Sequence, residues 1–200
     1  MKKPWDSFEK NYVAVETLDA DSGKTRLRYE YYGPWFVHRG TVAALLKEKW
    51  IIGAALAINL LSVIGSGLVD SVLNRVGVTC IPYGLALAAL VFTALGSVLF
   101  LVSGRKVKRP EYERMDRILR SAPIIEALLL LCAFLAAIVL ALTGKVTGSG
   151  LVPMAGYLTG SGCSFLTWYL FRTLQYRKEK NTEFEYAEEN PPGFSPEEES

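Results

Sequence analysis

Within apolar stretches of a chain, a lone amide or carboxyl is the group best able to bind a solute or move a proton, and here Asn59 and Glu126 are the two that qualify. Asn59 lies near the middle of an uncharged run, one turn from Ser62. Such an amide usually hydrogen-bonds a neighbouring helix, a contact worth roughly 1 kcal/mol. Together with Thr93 it could instead line a polar path. Glu126 lies one turn past Pro123 and is expected at the end of its run, paired with Arg120, rather than as a proton relay. Asp70 closes the first run, where water can solvate it.

The remaining reactive residue types exclude more than they suggest. Cys80, Cys132 and Cys163 form neither a CxxC pair nor a zinc spacing, so a disulfide framework and four-helix thiol–disulfide chemistry are both excluded. His38 is the single histidine, so no HExxH metal cluster can form, and beside Arg39 it is expected at a surface or interface. No phosphate-cradling or dinucleotide motif is present. Small four-helix drug exporters rely on a membrane-embedded Glu in their first helix, where this chain offers only Asn59. None of the apolar runs carries an ionisable residue at its centre, as a proton pump would need. The reading is a non-enzymatic protein with no catalytic, cofactor or metal site.

Asn59, Thr93, Cys132 and Cys163 sit on four blocks free of charge, with Asp70, Cys80 and Glu126 at their edges: Trp50 to Val69, Ile81 to Gly104, Ala127 to Gly144 and Val146 to Phe171. A helix needs about 20 mostly apolar residues to cross a hydrocarbon core, so each block can hold one span. The expected fold is an all-α integral membrane protein. It is a four-transmembrane-helix bundle with spans at about 50–69, 82–102, 123–143 and 153–171, Pro82, Pro123 and Pro153 opening the last three. Small residues four apart mark where such helices approach each other. Gly156, Gly160 and Ser164 form the strongest of these ladders, and Ser62 and Ser66 another; both are expected at helix contacts.

Residues 1–40 form a cytoplasmic segment in which Tyr12 to Leu18 and Lys24 to Tyr31 flank a Gly-containing turn, predicting a β-hairpin. An isolated hairpin is marginal in water and must lean on something, the central loop being one candidate. That loop, 104–122, is basic and amphipathic, and is expected to lie as a short helix on the inner membrane surface. Its Arg105, Lys106, Lys108, Arg109, Arg114 and Arg117 are the candidate contacts to anionic headgroups. The last helix is expected to run on to about Lys180, followed by a disordered acidic tail at 181–200.

The net charge is only +2, but 20 of the 22 basic residues fall in segments that a topology with both termini inside keeps on the cytoplasmic face. Arg75 and Lys145 are left outside. No early apolar run is followed by a cleavage site, so the first span is expected to act as its own signal for insertion in the plasma membrane. Nothing points to nucleic acid. The expected partners are membrane lipids and a protein partner or a second copy of the chain. The expected role is an accessory, scaffold or interaction subunit, the alternative being a small oligomeric transporter or channel with a polar path around Asn59. On this topology Cys80 is the one externally accessible thiol. An impermeant maleimide should label intact cells at Cys80, and Cys80→Ser should abolish the labelling.

Overall fold

The computed structural model describes residues 11–18, 25–144, 146, 148–174 and 176–180. The acidic tail, the hairpin turn at 19–24 and the first ten residues lie outside them. The described chain divides into a β module, built from residues up to Val37 with Lys106–Tyr112 and the chain from Tyr176 onward, and a helical unit built from the rest.

In the β module, β1 (Tyr12–Leu18) and β2 (Thr25–Tyr31) pair antiparallel, Tyr12 opposite Tyr31 at one end and Leu18 opposite Thr25 at the other. Gly33-Pro34 then turns the chain, with Tyr32 N–H bonded to the Asn11 carbonyl at 3.0 Å. The chain does not go straight into a helix. Trp35–His38 forms β3, which pairs antiparallel with β4 (Lys106–Lys108), Phe36 standing opposite Val107. A further strand, β5 (Tyr176–Glu179), completes a three-stranded sheet in the order β4-β3-β5. Phe36 stacks on Tyr112 at 4.2 Å, and Tyr112 meets Tyr176 at 5.0 Å, so one aromatic row joins all three segments of the module.

The helical unit holds four long helices: α1 (Val42–Leu68), α2 (Gly77–Val102), α3 (Arg109–Leu142, whose first turn belongs to the β module) and α4 (Leu151–Thr173). The Thr41 hydroxyl caps α1 by accepting from Ala44 N–H at 3.2 Å. Three helices, α1 to α3, are long and apolar enough to cross a membrane. The fourth falls short because Gly156, Thr159, Gly160, Ser161, Gly162, Ser164 and Thr167 dilute its apolar residues.

Three boundaries differ from the sequence reading. Pro82 does not open α2, which starts five residues earlier, at Gly77. Pro123 lies deep inside α3, so residues 109–122 are the first turns of one 34-residue helix and not a separate surface helix. A proline forfeits one hydrogen bond and crowds the preceding turn. Here an unbroken buried stripe runs past each proline and carries the helix across it: Thr79, Tyr83, Ala86, Leu90 and Thr93 on α2, and Met115, Leu119, Ala122, Glu126 and Leu130 on α3. The third boundary is the end of α4, which stops at Thr173 and does not run on to Lys180. Leu174 N–H bonds the Leu170 carbonyl, and the chain then supplies β5 to the open edge of β3.

Helices α1 and α4 share the most extensive contact in the unit. Their approach needs glycine. A Cβ built on Gly156 would lie 2.6 Å from Ser66 Cβ and 2.7 Å from the Ser62 carbonyl oxygen. Gly162, on the opposite side of α4, has nothing within 4 Å. Gly156→Ala should therefore destabilise the protein by about 1–3 kcal/mol through overpacking. Gly162→Ala should not destabilise it, helix propensity favouring the alanine by up to about 1 kcal/mol. Thermal unfolding of both variants in mild detergent separates the two cases.

Candidate functional site

Nine polar side chains of the long helices are buried in the helical unit. Asn59, Ser66, Thr79, Thr93, Ser97, Glu126, Ser161, Ser164 and Thr167 are all buried, while Leu61, Leu68, Val102 and Leu142 are each more than three-quarters exposed. Helical spacing produces this. Residues 59, 63 and 66 share one face of α1, and residues 58, 61, 64 and 68 the other.

At the centre of the unit, one amide bridges two other helices. Asn59 Nδ2 on α1 donates to Glu126 Oε1 on α3 at 2.8 Å and to Ser164 Oγ on α4 at 2.9 Å. The hydroxyls of Thr93, on α2, and Ser164 neighbour the Glu126 carboxyl. All four helices thus contribute a polar side chain to one point, and each of the four residues is 1% exposed or less. The packing around it is tight. A Cβ on Gly160 would lie 2.6 Å from Val63 Cγ2 and 3.2 Å from Asn59 Oδ1, so Gly160 is what lets α4 pass Asn59.

This placement corrects the sequence reading of Glu126. It is not at an interface and does not pair with Arg120, whose guanidinium binds Asp116 one turn away at 2.7 Å. Sequence spacing did carry a signal for it. The small-residue positions Ala133 and Ala137, stepped back by two turns along the same face, lead to Leu130 and Glu126. His38 is likewise buried, not superficial: Nε2 contacts Glu48 Oε2 at 3.1 Å and Nδ1 accepts from Gly40 N–H at 3.1 Å.

Of the other residues singled out in the sequence, Ser62 and Ser66 meet Gly156, and Ser164 meets Asn59. At the end of the unit near the α1–α2 connection, Asn74 Nδ2 donates to the carbonyls of Ser66 and Val69 at 2.9 and 2.8 Å. The Tyr157 hydroxyl donates to Asn74 Oδ1 at 2.8 Å, tying α4 to the same point. At the opposite end, Lys49 caps α2 by donating to the Leu101 carbonyl at 2.9 Å and to that of Ser103.

The basic residues divide into two groups. Arg105, Lys106, Arg109, Arg114 and Arg117 are exposed. Lys108 is half-buried in the β module, its ammonium 5.7 Å from the Tyr12 ring centre and 5.5 Å from that of Tyr31. The Tyr31 hydroxyl donates to the Pro34 carbonyl at 2.8 Å and accepts from Arg109 N–H at 2.8 Å. Burial pushes the Tyr31 phenol above its ordinary pKa, with the Arg109 N–H opposing the shift. This is where the hairpin leans: on the central segment of the chain.

No group of three His, Cys, Asp or Glu side chains that could hold a metal ion occurs among the described residues. Compared with protein families, with curated proteins and with solved structures, the chain finds no match.

The geometry sets an order of effects at position 126. Glu126→Gln keeps an oxygen acceptor for the Asn59 amide. Glu126→Leu leaves that buried amide unsatisfied, which costs roughly 1–3 kcal/mol. Unfolding in mild detergent should rank wild type close to Glu126→Gln and well above Glu126→Leu, and equal losses in the two variants would contradict the role given to the acceptor.

Proposed function

We propose that the protein is a multi-pass protein of the plasma membrane, with both termini and the α2–α3 connection on the cytoplasmic side, acting as a non-enzymatic scaffold or accessory subunit. Insertion is supported by three long apolar helices and by a burial pattern that turns polar side chains such as Asn59, Thr93, Glu126 and Ser164 inward and leaves Leu61, Leu68, Val102 and Leu142 outside. Water would penalise this arrangement, whereas hydrocarbon favours it. Orientation is supported by the 20-to-2 division of the basic residues.

The observation that carries the scaffold reading is the β module. The three segments that this topology puts on the cytoplasmic side, namely the N-terminal strands, Lys106–Tyr112 and the chain after α4, fold together as one unit. A linker that only joined helices would have no reason to build a five-stranded module with a continuous aromatic row. Such a module gives a partner protein, or a second copy of the chain, a rigid surface to dock on. The exposed Arg105, Lys106, Arg109, Arg114 and Arg117 favour contact with anionic headgroups, each contributing about 1 kcal/mol near such a surface.

One observation favours the alternative, a small oligomeric transporter or channel: Asn59, Thr93 and Ser164 converge on a carboxyl inside the helical unit. Purification from native membranes in mild detergent distinguishes the two readings. The scaffold reading expects a stoichiometric partner that is lost in Tyr31→Ala, which removes the Pro34, Arg109 and Lys108 contacts, while the helical unit unfolds at an unchanged temperature. A homo-oligomer without a partner, whose reconstituted solute flux disappears in Asn59→Leu, would overturn it.

A further inference from the structure

At the centre of the helical unit, a fully buried carboxyl receives one hydrogen-bond donor, the Asn59 amide. The Asn59 amide directs its hydrogens to Glu126 Oε1 and Ser164 Oγ. The Thr93 hydroxyl, a neighbour of the same carboxyl, directs its own hydrogen to the Ala89 carbonyl at 3.2 Å. Toward Glu126 it therefore presents lone pairs. Glu126 Oε2, Asn59 Oδ1 and, one turn along α2, Ser97 Oγ have no hydrogen-bond partner among the described residues. Glu126 and Ser97 are fully buried, and Asn59 is 1% exposed.

Buried acceptors without donors are rare in folded proteins and call for an explanation. An ionised Glu126 would be a fully buried negative charge with a single donor on it, which is costly. No counter-charge is at hand. No Lys, Arg or His among the described residues pairs with Glu126; α1 presents Asn59 to it, α2 presents Thr93, and α4 presents Ser164, with the Cys163 thiol as the one titratable neighbour. A metal cation is a poor occupant as well, because the site has a single carboxylate and the Asn59 N–H group points at it, along a direction a cation would need. A proton resolves the conflict. Placed on Oε2, it removes the buried charge and leaves Oε1 to accept from the Asn59 amide.

We propose that Glu126 is a proton-binding site: an un-ionised carboxyl at neutral pH, its proton on Oε2, held among α1, α2 and α4 by Asn59, Thr93 and Ser164. The site is independent of the docking role proposed for the β module. The test is infrared spectroscopy of the full chain in lipid at neutral pH, comparing wild type with Glu126→Gln. The wild type should show the carbonyl stretch of an un-ionised carboxyl, displaced in heavy water, and the variant should lack it. Asn59→Leu provides a second reading that keeps Glu126 in place: losing the N–H bond to Oε1 should move the same band to higher frequency. Loss of carboxylate bands instead of a carbonyl band in Glu126→Gln would overturn the proposal. An un-ionised band that Asn59→Leu leaves unmoved would do so too.

Discussion

The Asn59 amide, held between the Glu126 carboxyl and the Ser164 hydroxyl, is the contact on which the helical unit depends. It fixes the rotation of three helices at once, because each side chain must face the same point. Its demands reach outward. Gly160 has to lack a side chain so that α4 can pass Asn59, and Gly156, one turn away, has to lack one so that α4 can lie on Ser62 and Ser66. With these positions fixed, Tyr83, Leu90, Leu130 and Tyr157 are free to fill the rest of the interior with apolar contact.

The β module obeys a different constraint. Its strands are short, and a hairpin of two seven-residue strands has little stability of its own. The Lys108 ammonium over the Tyr12 and Tyr31 rings, and the Arg109 N–H on the Tyr31 hydroxyl, join the hairpin to the chain that links α2 to α3. The module therefore forms from segments far apart in sequence. Lys108, read from sequence as a headgroup contact, packs on two aromatic rings of this module.

Much of this was legible in the sequence. Runs free of charge located the helices, because a charged residue in an apolar run is costly, and the alternating Tyr12 to Leu18 and Lys24 to Tyr31 segments located the hairpin. Strands β3, β4 and β5 were not legible. Trp35–His38, Lys106–Lys108 and Tyr176–Glu179 are three or four residues long, and each is a strand only because the other two pair with it. Proline misled the reading at Pro82 and Pro123, since the rule that it opens helices is local while the buried stripes that carry α2 and α3 across it are tertiary. Glu126 was misplaced for a related reason. Its nearness to Arg120 in sequence suggested a pair, whereas helical rotation turns Glu126 inward and leaves Arg120 exposed.

A double-mutant cycle on Asn59 and Glu126 tests the central claim most directly, with Asn59→Leu, Glu126→Leu and the double variant unfolded in the same detergent. If the amide–carboxyl contact organises the helical unit, the double variant should be less destabilised than the sum of the single variants by about 1 kcal/mol or more. Additive losses would show that the two residues act separately and would contradict the account.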